Sequence, residues 1–218
     1  MGGRTDFAEN HADTLPSIEQ NLEMYHAAHR YLSSAGYEQV STYDWRKADG
    51  KLRYEEDSQP FFLGEDGALR GRDTWGWGFA GVSRFLGSPA EPGWMYMNHD
   101  QVKGYCEALD RGEFPIRRAH RCSATDLELI LLFQLLITKR VDRALFRTLF
   151  ASDVFDDHRG LWEALAERGW LAISPDELTL IGDGVFFTPT IQGLLAERRV
   201  QEIQRSLLPT ARSLPIAP

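Results

Sequence analysis

Two thiols, two histidines one helical turn apart, a crowd of arginines and a run of glycines set between aromatics are the groups whose types and spacing could do chemistry in this chain. Cys106 and Cys122 have no other cysteine at close spacing, so they read as free thiols of a reducing compartment rather than as a secreted disulfide framework. Their number sets a limit. A cubane iron–sulfur cluster held by one chain takes three or four thiolates, and this chain has 2 cysteines. His26 and His29 could share a metal, but no third ligand at suitable spacing joins them, which leaves them as partly buried helix residues. Arg111, Arg117, Arg118, His120 and Arg121 crowd the segment 111–121, where they could pair the carboxylates of a substrate or cofactor, or solvate a link between two lobes.

The run Trp75-Gly76-Trp77-Gly78-Phe79-Ala80-Gly81-Val82-Ser83-Arg84-Phe85 carries the most information. In an extended chain side chains alternate, so Trp75, Trp77 and Phe79 would share one face while Gly76, Gly78 and Ala80 leave the other nearly bare. Glycine in a strand sacrifices packing and adds chain entropy to be lost. A bare face therefore points to close approach, either by a ligand lying flat or by another backbone. The run is not a dinucleotide fingerprint: no Gly-x-Gly-x-x-Gly opens a helix here with an acidic residue about 20 positions on.

The elements that would position these groups begin with Ser17-Ile18-Glu19-Gln20, a capping box that starts a helix. Ile18, Leu22, Tyr25, His29 and Leu32 line one face of it, and Gly36 stops it. Tyr37 to Asp44 follows as a strand, so helix and strand form an αβ unit. Residues 45–73 are charged and broken by Gly50, Pro60, Gly64, Gly67 and Gly71, with Leu52–Tyr54 and Phe61–Leu63 able to pair as a hairpin; a segment this long is a lid or a peripheral insertion. Asn98 to Leu109 reads as a helix ended by Gly112 and Pro115, ahead of the basic loop. Ser123 to Asp126 caps an almost wholly apolar helix over 127–138, Arg143–Phe150 and Phe155–Arg168 supply two more, and short strands at 170–173 and 177–180 precede a tail helix from about Phe186 to Arg205. That order is a winged-helix pattern. Asp153, Asp156, Asp157, Glu163 and Glu167 fall on its would-be recognition helix and would repel phosphates, so it reads as a structural or interaction module.

Composition agrees. The 218 residues suffice for one domain or a domain with a small appendage, and 43% hydrophobic content with 26% charged residues builds a folded core. A net charge of −8 argues against general nucleic-acid or anionic-membrane binding. No apolar run reaches the length of about 20 residues that a spanning helix requires, and Met1 to Glu9 lacks a secretion-signal core, so a cytoplasmic protein is expected.

In order, Ala35-Gly36-Tyr37-Glu38-Gln39, the Gly76-to-Ser83 run, Asn98 and Tyr105 ahead of Gly112 and Pro115, then Ser123 to Asp126 and the winged-helix pattern resemble the C-terminal half of the oxygen-independent coproporphyrinogen III oxidase family of radical S-adenosylmethionine enzymes, which includes related radical methyltransferases. The resemblance spans about Ile18 to Arg199. It implies an α/β fold with late strands of a partial (β/α) barrel over 17–97, a connecting helix and basic loop over 98–122 and a winged-helix domain over 123–205, between a flexible lead-in (1–16) and a disordered tail (206–218). It also implies S-adenosylmethionine as cofactor, faced by Gln39, Ser41, Tyr43, Gly76, Gly78, Phe79, Ala80 and Gly81, with Ser83 and Arg84 toward a small-molecule substrate. The family's [4Fe–4S] cluster rests on a Cys-x3-Cys-x2-Cys loop that this sequence lacks. The cluster would have to come from another chain or a missing N-terminal part, and the chain alone is expected to generate no radical. A cluster-bearing partner or a homo-oligomer is the matching expectation, and a non-catalytic tetrapyrrole-, nucleoside- or partner-binding relative is the alternative.

Overall fold

A computed structural model describes residues 10–11, 14–48, 61–63, 65–66 and 69–207. Helix α1 (Ile18–Ser34) starts where the capping box places it: Ser17 Oγ accepts from the Gln20 amide at 3.2 Å and Gln20 Oε1 accepts from the Ser17 amide at 2.8 Å. Gly36, at φ +82°, turns the chain out of the helix. Strand β1 (Tyr37–Gln39) then pairs antiparallel with β2 (Trp45–Lys47). The expected strand stops short of residue 43. Ser41 Oγ accepts from the amides of Tyr43 and Asp44 and donates to the Asp44 carboxylate at 2.7 Å, which folds residues 40–44 into a tight turn.

Phe61–Leu63 (β3) pairs with Leu69–Gly71 (β4); its expected partner Leu52–Tyr54 lies outside the described residues. Phe61 is buried and joins the core, which anchors the start of this hairpin.

The next unit is a three-stranded antiparallel sheet in the order β5 (Val82–Gly87), β6 (Pro92–Asn98), β7 (Ile116–Arg121), with α2 (Val102–Asp110) between β6 and β7. Three expectations change here. Residues 75–81 form a loop instead of a strand, because Gly78 (φ +83°) and Ala80 (φ 56°) take left-handed conformations that no strand accommodates. Asn98 ends β6 instead of opening a helix. The basic segment is partly a strand, with Trp94 opposite Arg121 and Tyr96 opposite Ala119.

Helix α3 (Ala124–Ile137) carries the second capping box, Ser123 with Asp126. After it come β8 (Arg140–Asp142), α4 (Arg143–Phe150), α5 (Val154–Asp157), α6 (Arg159–Glu167), β9 (Leu171–Ile173), β10 (Glu177–Leu180) and α7 (Thr188–Leu207). The helix expected over 155–168 is broken at His158. Strand β10 lies between β8 and β9, antiparallel to both. All strand pairs among the described residues are antiparallel, so the described strands of 17–97 do not by themselves make the parallel strands of a barrel.

The core lies in this C-terminal module. Leu127, Leu132, Leu136, Val141, Phe146, Val154, Trp162, Leu178 and Ile191 are buried on its helices and strands, and Trp162 donates its ring N–H to the Val154 carbonyl at 2.8 Å. Asp126 ties the module together: Arg199 of α7 meets it through two bonds of 2.7 and 2.9 Å, and His120 of β7 at 3.1 Å. Burial alone would raise its carboxyl pKa, but the bonds from Arg199, Ser123 and His120 outweigh burial and hold it below the usual carboxylate range.

Candidate functional site

The sheet β5–β6–β7 has two unlike faces. Alternation places Val82, Arg84 and Leu86 on one, together with Met95, and the residues toward the core, Leu86 and Cys122 at the end of β7, are buried. Ser83, Phe85, Trp94, Tyr96 and Asn98 share the other, which is covered only in part by α2 and the loop 75–81. Between them is a cavity of about 490 Å³ lined by Trp75, Trp77, Phe85, Trp94, Tyr96, Tyr105 and Phe114, with Leu109, Pro115 and Ile116 completing the apolar wall.

Aromatic edges set its shape. Trp75 stands edge-on to Phe85 with ring centres 4.8 Å apart, Phe85 is edge-on to Tyr96 at 5.9 Å, and Trp94 stacks parallel to Tyr96 at 6.3 Å. Trp77 and Phe114 stand at the mouth, 86% and 84% exposed, which leaves two large apolar side chains without cover.

The loop owes its form to one side chain. Asn98 Nδ2 donates to the carbonyls of Gly76 (3.2 Å) and Gly78 (2.9 Å), and its backbone amide donates to the Gly81 carbonyl at 2.9 Å. Ser83 Oγ accepts from the Gly76 amide at 3.1 Å, and Ala80 N–H reaches the His99 carbonyl at 2.7 Å. Gly76 and Gly81 press backbone against backbone: a Cβ on Gly76 would come within 2.3 Å of the Val82 nitrogen. Close approach by another backbone, the second of the two readings of the bare run, accounts for these two glycines.

The residues expected to face a cofactor are therefore dispersed. Gly76 and Ser83 line the aromatic cavity, while Phe79 and Ala80 sit on the outer side of the loop, exposed. Gly78 stands at the turn, where an added Cβ would meet nothing within 4 Å. Arg84 falls on the face opposite Ser83. Gln39 lines a separate open cleft with Tyr25, His26, His29 and Lys139: Tyr25 donates to its side chain at 3.1 Å and the Lys139 ammonium to its carbonyl at 2.6 Å. Burial pushes the Lys139 pKa down. Ser41 is spent on its turn, and Tyr43 borders a third cavity beside Phe186.

Trp94, Tyr96, Tyr105 and Phe114 are cavity residues that the sequence reading did not assign. The signal was present in Trp94-Met95-Tyr96-Met97-Asn98, whose two-residue alternation of aromatics after Pro92-Gly93 marks a strand. The basic cluster does not converge either. Arg117 pairs with Asp100, Arg111 with Glu113 at 2.8 Å, Arg118 contacts the Met97 sulfur, and Arg121 lies over Trp94 with its guanidinium 5.9 Å from the ring centre.

The two thiols do not suit a cluster. Cys106 is exposed on α2, whereas Cys122 is buried, and burial followed by the Asp126 charge pushes its thiol pKa up, away from the thiolate that iron requires. Among the described residues no group of three or more His, Cys, Asp or Glu side chains could hold a metal ion, and no helix is long and apolar enough to cross a membrane. What the cavity offers is stacking surface, a few hydroxyls and one amide, with no charged residue in its lining. The hydroxyls are those of Ser83, Tyr96 and Tyr105 and the amide is that of Asn98.

No family model matches the chain, and no curated protein sequence matches it. Among solved structures it is similar to the coproporphyrinogen III oxidase of Escherichia coli, described as a radical SAM enzyme, with 17% sequence identity and a TM-score of 0.62 over 83% of this chain. The two share a fold. The match takes in 42% of that enzyme, so this chain spans less than half its length.

Proposed function

We propose that this chain is the ligand-holding portion of a radical S-adenosylmethionine protein, of the coproporphyrinogen oxidase or the radical methyltransferase kind, and that it seats a planar substrate in the aromatic cavity while another polypeptide segment or chain carries the [4Fe–4S] cluster. The observation that carries this reading is the uncharged, aromatic-walled cavity of about 490 Å³ on a fold shared with a radical SAM enzyme. In this reading the unit α1–β1 is a late αβ unit of a partial (β/α) barrel whose other strands lie elsewhere, which agrees with the half-exposed apolar stripe of α1, where Ile18 is 55% exposed. The segment from α3 to β10 is a winged-helix module, supported by the order of its elements and the central place of β10. Its acidic residues Asp156, Asp157, Glu163 and Glu167 make it a protein- or domain-facing module rather than a nucleic-acid reader. The bound cofactor would supply a 5′-deoxyadenosyl radical; this chain's residues hold and orient the substrate and exclude water from its face. A cytoplasmic setting and a cluster-bearing partner belong to the same proposal.

A binding-only relative is the second reading, favoured by the lack of Asp, Glu, His, Lys or Arg among the described residues that line the cavity. Both predict ligand binding, so tryptophan fluorescence of the purified chain titrated with a carboxylated porphyrin and, separately, S-adenosylmethionine is the first test. Saturable quenching by the porphyrin that Trp94→Ala weakens at least about ten-fold supports a planar ligand site. Quenching by neither compound rejects it. Mixing with a cluster-bearing radical SAM protein then separates the readings, since only the first expects deoxyadenosine formation to depend on this chain.

A further inference from the structure

The polar groups that line the aromatic cavity differ in what they have left to offer. Asn98 is 8% exposed, and its Nδ2 spends both hydrogens on the carbonyls of Gly76 and Gly78, at 3.2 and 2.9 Å. Both partners can only accept, so the carboxamide is fixed with its nitrogen toward the loop and its Oδ1 turned away from it. Among the described residues no donor reaches that oxygen, and no partner reaches the hydroxyls of Tyr96 and Tyr105. None of the three is sealed: the unpartnered side-chain atoms closed off from solvent are those of Thr42 and Ser152, elsewhere in the fold. Asn98, Tyr96 and Tyr105 all line this one cavity. A buried amide held rigid by two bonds, with its acceptor unspent and open, is completed by a ligand that brings a donor.

We propose that the cavity selects a flat, uncharged lactam, a heteroaromatic ring whose edge N–H donates to Asn98 Oδ1 while its carbonyl accepts from one of the two tyrosine hydroxyls. This names the ligand class of the planar-ligand site proposed above and rests on that reading. The assignment follows from complementarity. An amide oxygen only accepts, so the ligand must bring a donor to it, whereas the phenols can donate and so can meet a carbonyl. The lining has no Asp, Glu, His, Lys or Arg among the described residues. An ionised group carried inside would give up water and gain no opposite charge, which confines any charged substituent to the mouth. The ring itself is met by the aromatic walls, where Trp75 stands edge-on to Phe85 and Trp94 stacks on Tyr96. A porphyrin exercises those walls alone, since its N–H groups point to its own centre and cannot reach an amide at the cavity wall.

The test follows the tryptophan indole N–H signals of the full chain by NMR during titration with the bicyclic lactam carbostyril. N-methylcarbostyril, which lacks the N–H, and 4-methylcarbostyril, which keeps it and carries the same added methyl, are the controls. Saturable shifts are expected among Trp75, Trp77 and Trp94, assigned by loss of each signal in Trp75→Phe, Trp77→Phe and Trp94→Phe, while the signal of Trp162 in the closed core stays in place. Carbostyril should bind at least about ten-fold more tightly than its N-methyl form, with the 4-methyl form within about three-fold of it. Asn98→Ala loosens the loop and weakens every ligand, so its readout is the ratio: the preference for the N–H should fall to within about two-fold. Tyr96→Phe or Tyr105→Phe should weaken carbostyril about three-fold. Equal affinity for carbostyril and N-methylcarbostyril, an equal loss with the 4-methyl form, an unchanged ratio in Asn98→Ala, or full affinity in both tyrosine variants overturns the proposal and leaves the planar-ligand reading standing, as does binding of a carboxylated porphyrin without carbostyril. If neither porphyrin nor carbostyril moves a signal, that reading fails and the proposal with it. Should Asn98→Ala not fold, the ligand ratios in the unaltered chain decide.

Discussion

The antiparallel sheet β5–β7 and the C-terminal module bury their apolar residues in opposite ways. In the module, large side chains close on one another: Trp162, Phe146, Leu132 and Leu178 lie at 0–1% exposure, and even the one polar atom of Trp162 is satisfied. On the outer face of the sheet, Trp75, Trp77, Trp94 and Phe114 are 42–86% exposed and surround an opening. Aromatic area kept in water is a standing cost of about 25 cal/mol per Å². A chain that holds this much of it on one face, while sealing a core elsewhere, divides stability from binding.

That division can be broken with two tryptophans. Trp162→Ala removes a fully buried ring and strands the Val154 carbonyl, and should cost about 3–5 kcal/mol in urea unfolding. Trp94→Ala removes a ring with no such seal, and should cost about 1 kcal/mol while eliminating most porphyrin quenching. Equal losses of stability would show that the aromatic face is core rather than site.

A smaller effect tests how the loop is held. Asn98→Ala leaves the Gly76 and Gly78 carbonyls without their donor, and should cost about 1–2 kcal/mol, with ligand affinity falling further than stability because the loop is one wall of the cavity. Asn98→Asp should behave like the alanine variant, since a carboxylate presents no donor to a carbonyl. Full affinity in both would mean that residues 75–81 do not shape the site.

What could be read from the sequence divides along the same line. The helix starts at Ser17 and Ser123 and the stop at Gly36 follow from contacts within three or four residues, which a linear reading captures. The loop 75–81 does not. Its alternating glycines and aromatics satisfy a strand pattern, yet its shape is imposed by Asn98, 20 and 22 residues further along. Gln39 was grouped with the glycines by resemblance, whereas the fold gives it to a cleft with Lys139, 100 residues away, where neither spacing nor periodicity reports the contact.

Acid sensitivity sharpens the contrast from the module's side. Asp153 accepts from Arg143 through two bonds of 3.1 and 2.8 Å, and also from Arg147 and the Phe155 amide. The Arg143 bonds are the main cause that holds its pKa at about 2, against the opposing pull of burial. The unfolded chain titrates this group near about 3.9, so its folded pKa is the lower one; the stabilisation is complete above about 4 and is lost as pH falls toward about 2. Asp153→Asn should lower stability at neutral pH by about 1 kcal/mol and flatten the acid limb of the pH–stability curve, leaving fluorescence of the aromatic face unchanged.

The smallest effect is expected at Gly78, where two terms nearly cancel. Its φ of +83° costs an L-residue about 1–2 kcal/mol, but no atom lies within 4 Å of an added Cβ, so no clash is added. Replacing glycine also restricts the unfolded chain, which returns about 0.4–1 kcal/mol. Gly78→Ala should thus destabilise by no more than about 1.6 kcal/mol and leave porphyrin affinity within about two-fold. Gly76→Ala drives a methyl into the Val82 backbone and should disrupt the wall itself. If Gly78→Ala instead abolishes binding while stability holds, the ligand rests directly on the turn, and the glycine there is a contact surface rather than a hinge in the backbone.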